Sequence, residues 1–447
     1  MNYQQLTALL KKEMVPAHGC TGPTAYALAA ARCAPHLTAE PESLTVFVSP
    51  AFLKIGFGVA TPGTATPGIG IAAAIGLMGG DHTLGLSVLK PCTQDHVEKA
   101  HRFVAAGRVH IESDRTQTGV YVRAEVRTKN EVVTAVVSGT HDGIVLVTVN
   151  DAEVFRRDLA PDEIRPGGDD LTLDAIFKYA RNASMRALRF LLRGYRMNLA
   201  LAEDGLRREY GMKSARAYLV ACFAKEEVPE DLYVRPMDYL PEDLGKRIQI
   251  LVAAASDARM GGSRLPAMAA MGDGNQGITA MVPVGLAAEQ FGADEEKTLR
   301  ALAMSCLMTF YVKSKIGRAS AFCLCAIAAS AGAAAGIGFL KDLDDIQICA
   351  AVKNVIAPLA GMLCDGAKNS CALKMAIAAT TALTSVQLAE AGLAVGYYDG
   401  VADDTLEDTV ACITGIAARS QTLLDDSMVD MILAREARKH SAHQQAS

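Results

Sequence analysis

Residues 361–374 read GMLCDGAKNSCALK, and the reading of this stretch decides the C-terminal half of the chain. As one continuous α-helix it would put Cys364 and Cys371 on one face but about 10.5 Å apart, two turns at 1.5 Å per residue. That is too far for two thiols to share a metal ion. Asp365-Gly366 and Asn369-Ser370 are helix breakers, however. The stretch therefore reads as a turn, with the apolar run ALKMAIAATTAL forming a helix that Cys371 begins. A bend lets the two thiols converge, and a helix N-terminus favours the thiolate of Cys371.

Outward from this turn, almost everything from Leu171 to about Lys439 reads as helix with Ala-rich faces. Polar, glycine-bearing pieces interrupt it: SDARMGG (256–262), MGDGNQGI (271–278), YVKSKIGRAS (311–320) and FCLCAIAAS (322–330). Each alone is an ordinary connection between helices. Together they bring Cys323, Cys325, Cys364 and Cys371 into short loops with Lys, Arg and Asn, and loops on a rigid scaffold are where sites concentrate. The spacing, C-x-C, then 38 residues, then C-x6-C, is not the paired pattern of a zinc site. Iron–sulfur clusters accept more varied spacing, and three ligands leave one iron open as a Lewis acid. Cys33, Cys92, Cys222, Cys306, Cys349 and Cys412 read as small core residues.

The N-terminal part has a different pattern. Residues 1 to about 40 read as helical, broken at Pro16 and by AHGCTGP. SLTVFVS, GVYVRAEVRT, EVVTAVVSG and GIVLVTVN carry the Val-rich pattern of strands. TPGIGIAAAIGLMGG and QDHVEKAHRFVAAG between them read as helices, which predicts an antiparallel sheet with helices on one face. APDEIRPGGDD, 160–170, marks a boundary. The expected fold is thus α+β: an N-terminal helix plus α+β domain over 1–160 with the Cys20 loop, then an all-helical domain over 161–447 ending in a disordered tail.

Composition narrows the function. The 447 residues carry a net charge of −5 and no long basic run, which argues against nucleic-acid binding. The N-terminus lacks the apolar core of a signal peptide. ASAFCLCAIAASAGAAAGIGFL, 319–340, is uncharged but built from small residues, so it reads as a packed central helix rather than a membrane span. A cytoplasmic setting is expected. There, clustered thiols among the eleven cysteines point to metal binding or catalysis rather than disulfides.

Two further loops carry candidate chemistry. In PAHGCTGP, 16–23, Cys20 is either a thiolate base or nucleophile or a loop cysteine without a role. In LKIGFGVATPGTATPGIG, 53–70, Gly and Thr before a helix offer backbone N–H groups to a carboxylate. A phosphate loop is the competing reading, but no Walker pattern is present.

PAHGCTGP, VATPGT, SDARMGG, GDGNQGI, KSKIGRASAFCLCAIAAS and GMLCDGAKNSCALK occur in the order found in the L-cysteine desulfidase family, which is related to the iron–sulfur L-serine dehydratase alpha chain. The resemblance spans about residues 10 to 420. It implies a 4Fe-4S cluster held by three cysteines and β-elimination from L-cysteine to pyruvate, ammonia and hydrogen sulfide. It makes Cys364 and Cys371 ligands, leaves the third between Cys323 and Cys325, and makes Cys20 the catalytic base. Asn275, Lys313 and Arg318, with the amides near Gly63 and Thr64, are the expected substrate contacts. Gly22 stands where the family usually has Glu, a natural partner for a substrate ammonium group. Serine dehydratase-like or other hydro-lyase chemistry on a different small acid is therefore the alternative, as is a non-catalytic cluster-binding homologue. A pyridoxal phosphate Schiff base on Lys313 or Lys368 is a third chemistry. The expected partner is a small-molecule amino-acid substrate, with no nucleic acid and no membrane, and a homodimer is allowed.

Overall fold

The computed structural model of the chain describes residues 1–18, 21–61, 64, 66–159, 170–223 and 227–446. The N-terminal part is α+β, and the larger remainder is helical. Helix Tyr3–Glu13 is fixed by a capping box in which Asn2 and Gln5 satisfy each other's backbone N–H groups. It leads into strand β1, Met14–His18, and then helix Thr21–Cys33. Strand β2 (Ser43–Val48) is followed by helices Pro50–Phe57, Ile69–Gly79 and Gln94–Ala105. Strands β3 (Val109–Ser113), β4 (Tyr121–Arg127), β5 (Val132–Ser138), β6 (Ile144–Val149) and β7 (Ala152–Arg156) complete a six-stranded sheet.

The sheet order is β3-β2-β4-β5-β6-β7. Its neighbours are antiparallel except β2 and β3, which run parallel, so the sheet is mixed rather than the antiparallel one expected. The reason lies in the connection. Three helices separate β2 from β3, and a long helical crossover returns the chain in the same direction. Strict alternation buries Leu44, Val46 and Val48 of β2, with Val122, Ala124 and Val126 of β4, against the helical layer.

The helical part contains Leu173–Asn182, Met185–Arg207, Ser214–Ala221, Leu244–Met260, Gly274–Gln290, Glu295–Ile316, Leu324–Leu340, Asp345–Leu359, Cys371–Glu390 and Leu406–Ala446. Leu324–Leu340 is the packed central helix that its small residues predict. A Cβ on Gly332 would lie 2.0 Å from Oγ1 of Thr309 on the neighbouring helix, so glycine permits the close approach. Helix Cys371–Glu390 is long and apolar enough to cross a membrane by composition, and half of its apolar window is buried in the protein. No helix covers 361–370, so the CDGAKNSC stretch is the turn that its breakers dictate. The last helix continues to Ala446, across the stretch where the sequence predicts disorder.

The two cores do not follow chain order. Leu6, Leu9, Leu10 and Met14 from the first residues pack in the helical core. There β1 pairs antiparallel with β8, Pro266–Ala270, a short strand that interrupts the helical run. Conversely, the last helix starts in the helical core at Leu406, Val410, Ile413 and Ala417, then adds Val429 and Ile432 to the core under the sheet. At the crossing it carries Asp425, whose Oδ1 lies 2.5 Å from Nζ of the buried Lys54 on helix Pro50–Phe57. The same ammonium donates to the carbonyl of Ser320 at 3.3 Å, and Gln421 Oε1 accepts the N–H of Ala321 at 2.9 Å. The last helix thus grips the segment that leads into Cys323.

Candidate active site

Two loops meet at the base of the cavity. Phe322 and Leu363 form an antiparallel bridge. Around it Cys323 N–H donates to Met362 O at 2.8 Å, and Cys364 N–H to Ala321 O at 2.7 Å. The CDGAK turn then passes so close to helix Pro50–Phe57 that a Cβ on Gly366, at φ +97°, would lie 2.0 Å from Lys54 O. Only glycine fits both the conformation and the space. Gly366→Ala is expected to destabilise the protein by about 1–3 kcal/mol, read from urea unfolding; an unchanged midpoint would mean that the turn relaxes freely. Past this turn, Cys371 opens its helix with its N–H on Lys368 O at 2.9 Å.

Cys323, Cys364 and Cys371 all line this cavity, whose volume is about 80 Å³. Burial pushes the Cys323 thiol pKa up, and the neighbouring sulfurs of Cys364 and Cys371 push it further. Lys374 donates to Leu363 O at 2.7 Å and pairs with Asp365. Burial opposes its charge, but Asp365 and the Cys323 and Cys371 sulfurs more than offset this and raise its pKa. Cys325 lines the cavity too but is engaged elsewhere. Its Sγ–H donates to Asp273 Oδ2 at 2.9 Å, and burial together with that carboxylate holds it as a thiol. Among the described residues, no three His, Cys, Asp or Glu side chains gather into a nest for a single metal ion.

The opposite wall is polar and buried. Met271 (φ 46°) and Gly272 (φ 79°) turn the chain from β8 into helix Gly274–Gln290. Asp273 caps that helix, its Oδ1 accepting Asn275 N–H at 2.9 Å. Burial works to raise the pKa of Asp273, but Arg259, Lys313 and the Cys325 hydrogen bond outweigh it, so the carboxylate stays ionised. Lys313 donates to Gln276 Oε1 at 2.7 Å and to Met271 O at 3.0 Å, and burial lowers its pKa. Arg318 is held by Glu13 in a two-pronged ion pair at 2.7 and 3.2 Å. Asn275 Oδ1, Gln276 Nε2, Arg318 Nε and His141 Nδ1 are buried on this cavity without a hydrogen-bond partner among the described residues. Four unsatisfied atoms in one cavity mark a place shaped for a ligand.

His141 comes from the sheet part, on the turn between β5 and β6, and its ring stands 5.4 Å from that of Phe52. Burial, and then the Lys313 charge, pull its pKa down to about 3. The consequence for stability has a definite sign. Above about pH 6.5 the ring is neutral folded or unfolded. As the pH falls below that value, the unfolded chain takes up a proton that the folded one refuses, and stability drops. Between pH 7 and 5 this amounts to about 2 kcal/mol, so His141→Asn is expected to flatten the pH dependence of urea unfolding by that much. Equal slopes for both proteins would contradict the assignment.

The sequence-predicted residues divide into three groups. Asn275, Lys313, Arg318, Cys323, Cys325, Cys364 and Cys371 share the cavity. Thr64 is not among its lining residues, and its N–H is already donated to Thr61 O at 3.1 Å. Cys20 and Gly63 lie outside the described residues. Lys368 pairs with Asp365. A Cβ on the buried Gly22 would lie 2.4 Å from Cγ2 of Ile55, itself a lining residue, so no side chain fits there unless Ile55 moves. His141, Arg259, Asp273 and Gln276 were not anticipated as site residues. The last three sit inside the flagged stretches SDARMGG and MGDGNQGI, where the structure puts Arg259 at the end of one helix and Gln276 at the start of another; His141 sits in SGTHDGI, between two Val-rich strands.

Residues 83–429 match the family described as serine dehydratase alpha chain, and the chain belongs to that family, one of lyase type. Among curated proteins it is similar along its whole length to the UPF0597 protein YhaM of Salmonella dublin, 36% identical over 439 residues, covering 97% of this chain and 98% of the relative. A UPF0597 protein of Shewanella sediminis is 36% identical over 435 residues, with 97% and 99% covered. YhaM of Escherichia coli O9:H4 is 35% identical over 442 residues, with 98% of each covered.

Proposed function

We propose that the chain is an iron–sulfur-dependent lyase that catalyses β-elimination from a small amino acid, with L-cysteine, giving pyruvate, ammonia and hydrogen sulfide, as the leading substrate. The observation that carries this reading is the meeting of Cys323, Cys364 and Cys371 in one cavity with a wall of buried cations and unsatisfied polar atoms. The donor set fits a 4Fe-4S cluster. The three thiols would hold it, with the Lys374 ammonium beside Cys323 and Cys371. Such a cluster spreads its thiolates over separate irons, so they need not converge on one point. When bound, it supplies an open Lewis-acidic iron for the leaving group.

The chain's own groups would do the rest. Arg318, Lys313 and Gln276 Nε2 suit a carboxylate, and Asn275 Oδ1 accepts a donor on the substrate. Cys20 is the proposed base for the α-proton, and the amide of Gly63 a further carboxylate contact. A cytoplasmic setting belongs to the proposal, supported by the lack of a disulfide between any two of the ten described cysteines.

One observation favours a second reading. Both carboxylates on the cavity are already paired, Asp273 with Arg259 and Asp365 with Lys368 and Lys374. With Gly22 closed off by Ile55, no described carboxylate stands ready for a substrate ammonium group. A hydro-lyase acting on a small hydroxy acid would not need one. Anaerobic reconstitution with iron and sulfide, followed by a screen of β-substituted amino and hydroxy acids, separates the two. Sulfide and ammonia release from L-cysteine supports the first, and release of an unsaturated acid, or of a keto acid where the α-carbon carries a hydroxyl, from hydroxy acids alone supports the second. Silence on both classes would sink the lyase reading.

A further inference from the structure

Resting on the reading of this cavity as a substrate site, we propose that His141 is a catalytic residue whose imidazole N–H donates a hydrogen bond to the substrate carboxylate, where negative charge builds as the α-C–H bond breaks. The first support is delivery. The β5–β6 turn is closed by Gly143 N–H on Thr140 O at 3.1 Å and Thr140 Oγ1 on Asp142 Oδ1 at 3.0 Å. It carries one imidazole from the sheet part into a cavity otherwise lined, Ile55 apart, by the helical part. On the facing loop, Gly272 leaves the space free: a Cβ there would lie 2.8 Å from His141 Nδ1.

The second support is that the ring is unspent. A buried histidine retained for structure satisfies its nitrogens. His141 is 7% exposed, and Nδ1 has no partner among the described residues. The charged groups facing it are Lys313 of helix Glu295–Ile316, Arg259 of helix Leu244–Met260, Arg318 and Asp273. Burial first, and then three cations against one anion, keep the ring uncharged.

A neutral imidazole suits the step. As the base takes the α-proton, the C–H electron pair moves toward the carboxylate. It then forms the Cα–Cβ double bond while the leaving group departs with its own bonding pair. A neutral N–H stabilises the intermediate charge without first surrendering a proton, the pattern of a neutral electrophilic histidine. Removing one such donor lowers kcat by about 10²–10³-fold.

The test uses full-length reconstituted protein with His141→Phe, His141→Asn and His141→Gln, matched for iron content. Two quantities are read: kcat, and the calorimetric affinity ratio for a nitronate over a carboxylate analogue of the best substrate. The nitronate mimics the charge of the intermediate. His141→Phe is expected to lose about 10²-fold in kcat and the nitronate preference, while plain carboxylate affinity changes little. Asn can mimic Nδ1 and Gln Nε2, so one should restore much of the loss and the other not. If His141→Phe does not fold, that Asn/Gln contrast decides. Retention of wild-type kcat and nitronate preference by the variants would overturn the role of His141 alone. A wild-type protein that neither turns over nor binds any small carboxylate would overturn the site reading and this proposal together.

Discussion

Cys323→Ala, Cys364→Ala and Cys371→Ala are each expected to lose most of the iron acquired on anaerobic reconstitution, whereas Cys325→Ala keeps it. The expectation follows from what the thiols touch. Cys323 shares its electrostatic surroundings with Cys364 and Cys371, and the short bridge at Phe322–Leu363 fixes its backbone beside Cys364. Cys325 spends its S–H on Asp273. The contrast between the two members of the C-x-C pair is the informative part, because both sit at the start of one helix, two residues apart, and a general folding defect would affect them alike. Iron content measures it, as does the broad visible absorption that the proposed cluster would give. Equal losses from Cys323→Ala and Cys325→Ala would break the assignment, as would full iron in Cys364→Ala.

The second large effect is on stability. Asp425→Ala strands the Lys54 ammonium in an interior where both side chains are nearly inaccessible, at 1% and 8% exposure. Removing one partner of a buried pair costs about 3–5 kcal/mol, because the remaining charge has no compensation. Asp425→Asn, which still accepts a hydrogen bond, should cost less. Lys54→Met combined with Asp425→Leu should recover much of the loss, since two apolar groups need no partner. Urea unfolding distinguishes these cases. A loss below about 1 kcal/mol for Asp425→Ala would mean that water reaches the pair.

Much of this was legible in the sequence where local chemistry is strong. Asp-Gly and Asn-Ser dictate the turn at 365–370, and the Val-rich alternation gives β2, β4, β5 and β6. The flagged loops hold most of the cavity wall for the same reason: breakers inside a helical run are visible without knowing the fold. What was not legible depends on distant partners. Met14–His18 and Pro266–Ala270 become strands because they find each other across the chain, and neither carries an alternating pattern. The parallel pairing of β2 with β3 is a property of the crossover, not of either strand. His141 has no local signal, because its place on the cavity arises only where a hairpin from one core meets a glycine turn of the other.

The exchange of segments between the two cores fixes an order of completion during synthesis. The N-terminal helix and β1 emerge first, yet β1 has no partner until β8 has been made. The layer under the sheet is translated early, yet it remains unsealed until Val429 and Ile432 arrive on the last helix. Because chains emerge N-terminus first, neither half can close as an independent unit on the ribosome. The Lys54–Asp425 contact behind Cys323 forms late, so the segment that leads into Cys323 is braced only after residue 425 has been made.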